Sequence, residues 1–414
     1  MNVSGLSGNE IFCLANKGWA PGGIVIGNSV QSLGLIGGIA SGLKSIAGGE
    51  ITNLTSLISE GRHAAIARIE TEARERGAQG LTGVATELKT LSSLVEFLSI
   101  GSAVHSTTYK GPFFSTACTG QELYCHLDAG YEPRHFVIGN VAYSLGIGRG
   151  ITGGLRTITT RGEVKEFSDL YNHTRHLALE RLEREAADYG CNAVVDINTE
   201  ILRVAGIREM LMVGTGSFNP LLGHLKTPVT SELTGEELWN LTHMGYAPLK
   251  LVLGTSVYSL GFAGGLSAFF RSFSRGEVDE VTRLIYEARE NALAHIHADA
   301  AACGAEHVIG TKLFVHEIGQ GMVEVLAIGT AMRRHPEVKT QSQQLLPQAI
   351  IRDRDTFFDP TITGSLSRDH ISSAGANPHA GAQANPAGCL IAGVIMFVVT
   401  SFILICGVIA SLMG

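Results

Sequence analysis

No lysine- or arginine-rich run occurs anywhere in this chain, and 38 acidic residues outnumber 31 basic ones for a net charge of -7. That balance excludes the basic footprint of a nucleic-acid-binding protein. No C-x-x-C pair is present. The seven cysteines (Cys13, Cys118, Cys125, Cys191, Cys303, Cys389 and Cys406) lie far apart, which excludes a dense disulfide scaffold and favours a reducing compartment. The opening MNVSGLSGNEIF has neither a basic stretch nor an apolar core, so no secretory signal is expected. Tryptophan is scarce, with two residues in 414. A chain of this length exceeds what one hydrophobic core serves, so several domains are expected.

Glycine is abundant instead, with 51 residues scattered among apolar and β-branched ones and not gathered into a low-complexity tract. One phrase is written three times: GWAPGGIVIGNSVQSLG from Gly18, GYEPRHFVIGNVAYSLG from Gly130 and GYAPLKLVLGTSVYSLG from Gly245. Each copy is preceded by a Ser or Thr three residues ahead of a Glu (Ser7 and Glu10, Thr119 and Glu122, Thr234 and Glu237), the spacing of a helix-opening capping box. A helix of about two turns follows, stopped by Gly18, Gly130 or Gly245. The β-branched runs around Gly27, Gly139 and Gly254 read as strands whose glycine permits a bulge or close packing.

After a Gly-rich segment each copy reaches Glu50, Glu163 or Glu277 and then a long helix. Ile58, Ala65, Ile69 and Ala73, with their counterparts Tyr171, Ala178, Leu182, Ala186 and Ile285, Ala292, Ile296, Ala300, lie on one stripe of it. The alanines let the helix lie close on a sheet. Two more strands close each copy. The unit is therefore α-β-loop-α-β-β over about 113 residues, long enough to own a core. The expected domains are 1–110, 111–224 and 225–336.

Beyond them, 337–386 is polar and rich in Pro, Gly, Ser and Gln, and reads as a flexible stalk. From Ala387 to Gly414 no residue is charged. Those 28 residues would make a helix of roughly 42 Å against about 30 Å of bilayer hydrocarbon, so 387–412 is expected to span a membrane once. The nearest basic residues precede it, which favours a tail-anchored protein with a cytosolic body and the lipid bilayer as a partner.

The string of GNSV, GGE, GRHAAIARIETEA and IGSAV in copy one, GNVAYS, RGE, TRHLALERLEREA, GCNAVV and VGTGS in copy two, and GTSVYS, RGE, AREN and IGTAM in copy three resembles the YbjQ family. The resemblance covers nearly all of residues 1–336. It implies an α+β, dodecin-like fold, with a small curved antiparallel sheet crossed by a helix, and assembly into closed rings, typically pentamers. Three domains per chain would form an arc of one ring or stack as three rings. The family carries a heavy-metal-binding label.

Candidate chemistry is thin. Cys125 with His126, His173 with His176, His295 with His297, and Cys303 near His307 are possible metal ligands, but none recurs in the other copies and no set has zinc spacing. GIGRGITGG, with Arg149, lacks the G-K-[ST] ending of a phosphate loop, and tight packing explains it better. A charged pair does recur, twelve residues apart: Glu50 with Arg62, Glu163 with Arg175, Glu277 with Arg289. No nucleophile or histidine is kept beside it, so a structural ion pair within or between domains is expected, with no catalytic residue and no cofactor. Glu96, Glu209 and Glu324 recur in the last strand, where alternation sets them opposite the buried side chains, at a charged edge or ring lumen.

These features lead to a non-enzymatic, membrane-anchored homo-oligomeric scaffold or cap. The alternatives are a protein binding a metal ion or small ligand at domain interfaces, and, less favoured, a pore of clustered tails.

Overall fold

Side-chain caps decide where the short helices begin. Ser7, Thr119 and Thr234 each accept from the backbone N–H of the Glu three residues on, and each Glu accepts in return from the cap residue's own N–H. Two orphan donors are thereby satisfied at each start. The helices end at Gly18, Gly130 and Gly245, whose φ values of 76°, 86° and 83° lie in the left-handed region that favours glycine. The computed structural model describes residues 3–32, 49–91, 94–144, 162–204, 207–259, 279–319 and 322–346.

The first repeat runs α1 (Gly8–Ala15), β1 (Ala20–Ser32), β2 (Gly49–Glu50), α2 (Thr52–Glu75), β3 (Gly80–Leu91) and β4 (Leu94–His105). The second runs β5 (Phe114–Ser115), α3 (Gly120–Asp128), β6 (Glu132–Ser144), β7 (Gly162–Glu163), α4 (Lys165–Asp188), β8 (Ala193–Val204) and β9 (Ile207–Phe218). The third runs β10 (Val229–Thr230), α5 (Gly235–His243), β11 (Tyr246–Ser259), α6 (Asp279–Ala302), β12 (His307–Gly319) and β13 (Met322–Arg334). The fold is α+β, as expected for three tandem units.

Each repeat's three long strands form an antiparallel sheet with the last strand in the middle, paired to the first on one side and the second on the other. Sheets one and two are mixed rather than purely antiparallel, because short strands cross between repeats, while sheet three is antiparallel throughout its described strands. β5 adds in parallel to β3, and β10 to β8. In the other direction β2 adds to β6 and β7 to β11, both antiparallel. Neighbouring repeats thus lend each other an edge strand, which covers edges that would otherwise stand open.

One face of each sheet packs on its own long helix. A Cβ on Gly27, Gly139 or Gly254 would collide with the carbonyl of Ala65, Ala178 or Ala292, so these strand glycines and helix alanines allow the close approach. The other face of sheets two and three is also buried, beneath the long helix of the preceding repeat. Ile138, Leu211 and Val213 of sheet two cluster with Ile66 and Ile69 of α2, and Leu253, Leu326 and Ile328 of sheet three with Tyr171, Leu179 and Leu182 of α4. The order along the described body is sheet, helix, sheet, helix, sheet, helix.

Two expectations need correction. The first is the membrane anchor. Among the described residues no helix is long and apolar enough to cross a membrane, since the three 24-residue helices carry charge along one side. The expected span at 387–412 lies outside the described residues, as do Glu277 and most of the stalk. The second concerns the start of that stalk. Residues 337–346 return to the body: the Ser342 backbone N–H and hydroxyl donate to Asp128 at 3.0 and 2.7 Å, and Val338 is buried.

Candidate functional site

The repeated charges meet across repeats. Arg62 on α2 donates from Nη2 to Glu209 Oε2 on β9 at 2.9 Å, and both side chains are fully buried. One repeat further on, Arg175 on α4 donates from Nη2 to Glu324 Oε1 on β13 at 2.6 Å and from Nε to the same oxygen at 3.2 Å, again with both side chains fully buried. Arg62 therefore does not meet Glu50. Glu50 instead forms an ion pair with Arg181 of α4, its Oε1 2.7 Å from Nη2, and Glu163 lies 3.4 Å from the Asn291 amide. Glu209 and Glu324 do stand opposite their own helix, but the face they occupy is buried beneath the helix of the preceding repeat and is neither an edge nor a lumen.

Each pair is set in further polar and aromatic contacts. Asn140 donates to the second oxygen of Glu209 at 3.1 Å, and Thr86 accepts from Arg62 Nη1 at 3.3 Å. Around Arg175, the Tyr143 hydroxyl accepts from Nη2 at 2.9 Å, while the rings of Tyr143 and Tyr171 face the guanidinium at 4.7 and 5.2 Å. Burial works against the charge on Arg175, but Glu324 and Tyr143 outweigh it and raise its pKa further above the ordinary value. Burial also raises the Tyr143 and Tyr171 hydroxyls, so both stay protonated.

Backbone bonds tie the same seams. The Ala142 N–H donates to Thr55 Oγ1 at 3.0 Å, and the Val257 N–H to Ser168 Oγ at 2.9 Å. A second ionisable group lies along the seam between repeats one and two. His63 reaches Glu185 at 3.1 Å and its pKa is raised, chiefly by that hydrogen bond. His135 stacks on Tyr189 at 3.6 Å and is held below its ordinary value by burial, despite the nearby Glu70 and Glu185. The short helices also interlock: Gly120 N–H donates to Glu10 at 2.9 Å, and the Trp239 indole donates to Asp128 at 2.7 Å. Asp128 is buried, yet Lys17, Trp239 and Ser342 together hold its carboxyl below the usual range.

The possible metal ligands are not gathered. Among the described residues no three of His, Cys, Asp or Glu are grouped as a metal site. His126 faces the Cys118 thiol at 2.9 Å, the His176 ring lies 3.9 Å from Asp299, and Cys303 donates to the Ala300 carbonyl. Arg149 lies outside the described residues. A cleft of about 620 Å³ opens between repeats one and two, lined by Trp19, Tyr109, Phe114 and Arg134 among others.

Residues 20–107, 131–218 and 242–335 each match the family model YbjQ_1, described as "Putative heavy-metal-binding". The chain belongs to the YbjQ family. Each match spans the strand–helix–strand–strand part of one repeat, so the buried seams lie between YbjQ domains. The chain is similar to the encapsulin nanocompartment protein Rv1762c of Mycobacterium tuberculosis, with 30% identity over 239 residues, covering 55% of this chain and 89% of the relative. It is also similar to UPF0145 proteins of Picrophilus torridus (35% identity, 23% of this chain and 82% of the relative) and Methanoregula boonei (40%, 23% and 78%).

The helix-to-next-sheet connection, with Arg181, Asn140, Tyr143 and the His63–Glu185 contact, was not among the expected site residues. Its signal was present in the recurrence of Arg62, Arg175 and Arg289 alongside Glu96, Glu209 and Glu324, two series that sequence alone leaves unconnected.

Proposed function

We propose that this protein is a non-enzymatic structural component that self-associates, its YbjQ domains at 1–110, 111–224 and 225–336 acting as the building units of a larger assembly. The observation that carries this reading is the buried Arg–Glu pair repeated at both seams. Each domain binds its neighbour through a face that would be costly to leave in isolation, since an unpaired buried charge is strongly destabilising. Similarity to a protein named for an encapsulin nanocompartment supports the same class of role. The recurrent residues serve the seams in this reading: Arg62, Arg175, Glu209 and Glu324 as ion pairs, Glu50 and Glu163 on strands that add to the next sheet, and Gly27, Gly139 and Gly254 as helix rests.

Negative-stain images of the purified full chain test it. Discrete particles larger than one chain are expected, and particles of single-chain size at every concentration would refute the proposal. A second reading, a small ligand held in the cleft beside Trp19, Tyr109 and Arg134, rests on the cleft's aromatic walls and single guanidinium. A thermal-shift screen with aromatic carboxylates tests that reading.

A further inference from the structure

The two seams inside the chain are copies of one another, and each end of the stack carries half of a third. On sheet one, the face turned away from α2 presents Ile26 and Val30, which are 56% and 50% exposed. Their counterparts, Ile138 and Ala142 in sheet two and Leu253 and Val257 in sheet three, are buried beneath the preceding repeat's helix. At the centre of the same face Glu96 takes the place of Glu209 and Glu324. It accepts from the Asn28 amide at 3.1 Å, as Glu209 does from Asn140, yet among the described residues no arginine pairs with it.

The far end of the stack offers the missing half. Arg289 on α6 stands where Arg62 and Arg175 are fully buried, but it is exposed and makes no ion pair among the described residues. Tyr286, one turn earlier, is 60% exposed. The short helices repeat the pattern. A Cβ on Gly120 or Gly235 would press on Glu10 and Leu14, or on Glu122, of the preceding short helix, whereas one on Gly8 would meet nothing within 4 Å. The sheet face with its ion pair is thus filled twice within the chain and open once at each end, and the short-helix contact is filled twice and open at Gly8.

We propose that a second copy of this chain binds head to tail, α6 of one copy lying on sheet one of the next with Arg289 paired to Glu96. The occupant is set by continuity: both equivalent faces within the chain are covered by a long helix of this same repeat, carrying Arg at the same position. The contact joins two different surfaces, so it propagates until the rotation closes it into a ring or extends it as a filament. A ring built this way holds a multiple of three domains, which does not match a five-domain ring. The inference rests on the self-association reading above and gives it an interface.

Mass photometry and sedimentation velocity on the full chain, from nanomolar to micromolar, test it with Glu96→Arg, Arg289→Glu and the double variant. Losing one partner of a buried pair is expected to weaken association at least about 30-fold. Each single variant should therefore shift the particles toward single chains, and the double variant, which restores opposite charges across the contact, should recover them. Circular dichroism checks that the variants fold, and Val30→Asp on the same face gives an independent disruption. If the wild-type chain associates and the single variants match it, or if the double variant stays as weak as the singles, this interface is wrong while self-association stands. A wild-type chain that stays single at all concentrations overturns both.

Discussion

Replacing Glu324 with glutamine isolates the ion pair at the second seam. The substitution keeps the side chain's shape and removes its charge, leaving the Arg175 guanidinium fully buried among Tyr143, Tyr171 and a neutral amide. The Tyr143 hydroxyl and the two ring faces compensate part of the lost attraction, but they carry no net charge. Breaking a buried pair on one side costs about 3–5 kcal/mol, whereas replacing both partners by apolar residues of similar volume is often neutral or stabilising. Glu324→Gln should thus lose about 3–5 kcal/mol, and Arg175→Met with Glu324→Leu should lie within about 1–2 kcal/mol of the parent. Urea unfolding, followed by circular dichroism and by the fluorescence of Trp19 and Trp239, measures both. A single substitution within about 0.5 kcal/mol of the parent, the range of ordinary surface changes, would refute the claim that this pair is sealed between repeats.

Gly139→Ala should be destabilising by about 1–3 kcal/mol, because its methyl group would press on the Ala178 carbonyl and push α4 off sheet two; a melting temperature equal to the parent's would count against that packing. Glu232 is buried beside Lys312 at 3.4 Å, and burial pushes its carboxyl up to about 7. Below the ordinary carboxylate range both folded and unfolded chains hold this proton. From there to about pH 7 only the folded chain keeps it, so the residue's contribution to stability falls as pH rises. Glu232→Gln should remove that fall and gain on the parent between pH 5 and pH 8 by on the order of 3 kcal/mol. A stability difference independent of pH would contradict this.

Much of the fold was legible because its local signals depend on few residues. A Ser or Thr three residues before a Glu makes a capping box in any context, and Gly18, Gly130 and Gly245 end helices because a left-handed residue is needed there. The alternation that set Glu209 and Glu324 opposite their own helix was also readable. What covers that opposite face was not, because strand periodicity separates two faces without telling solvent from a neighbour's helix. The partner of each arginine was hidden for a related reason. Glu50 stands twelve residues before Arg62, which invites a local pair, while the true partner Glu209 lies 147 residues on in the next copy. Since every copy offers the same residues, spacing alone cannot separate pairing within a copy from pairing with the next. The borrowed edge strands β2, β5, β7 and β10 are two residues each, too short to leave a periodicity. The apolar run at 387–412 was read as a membrane span from composition alone, and nothing among the described residues supports that reading.

Chemical cross-linking across the proposed contact tests the central claim, that one helix-on-sheet seam joins domains both within and between chains. Ile66 and Ile138 share one core cluster across the first seam, and Leu293 and Ile26 occupy the corresponding positions at the two open ends. With cysteine at 26 and 293, a short bis-maleimide should produce a ladder of covalently joined chains that fades on dilution with chains lacking either cysteine. Cysteine at 66 and 138 should cross-link within one chain as the internal reference. Efficient cross-linking of the internal pair with no ladder from the terminal pair would contradict the account.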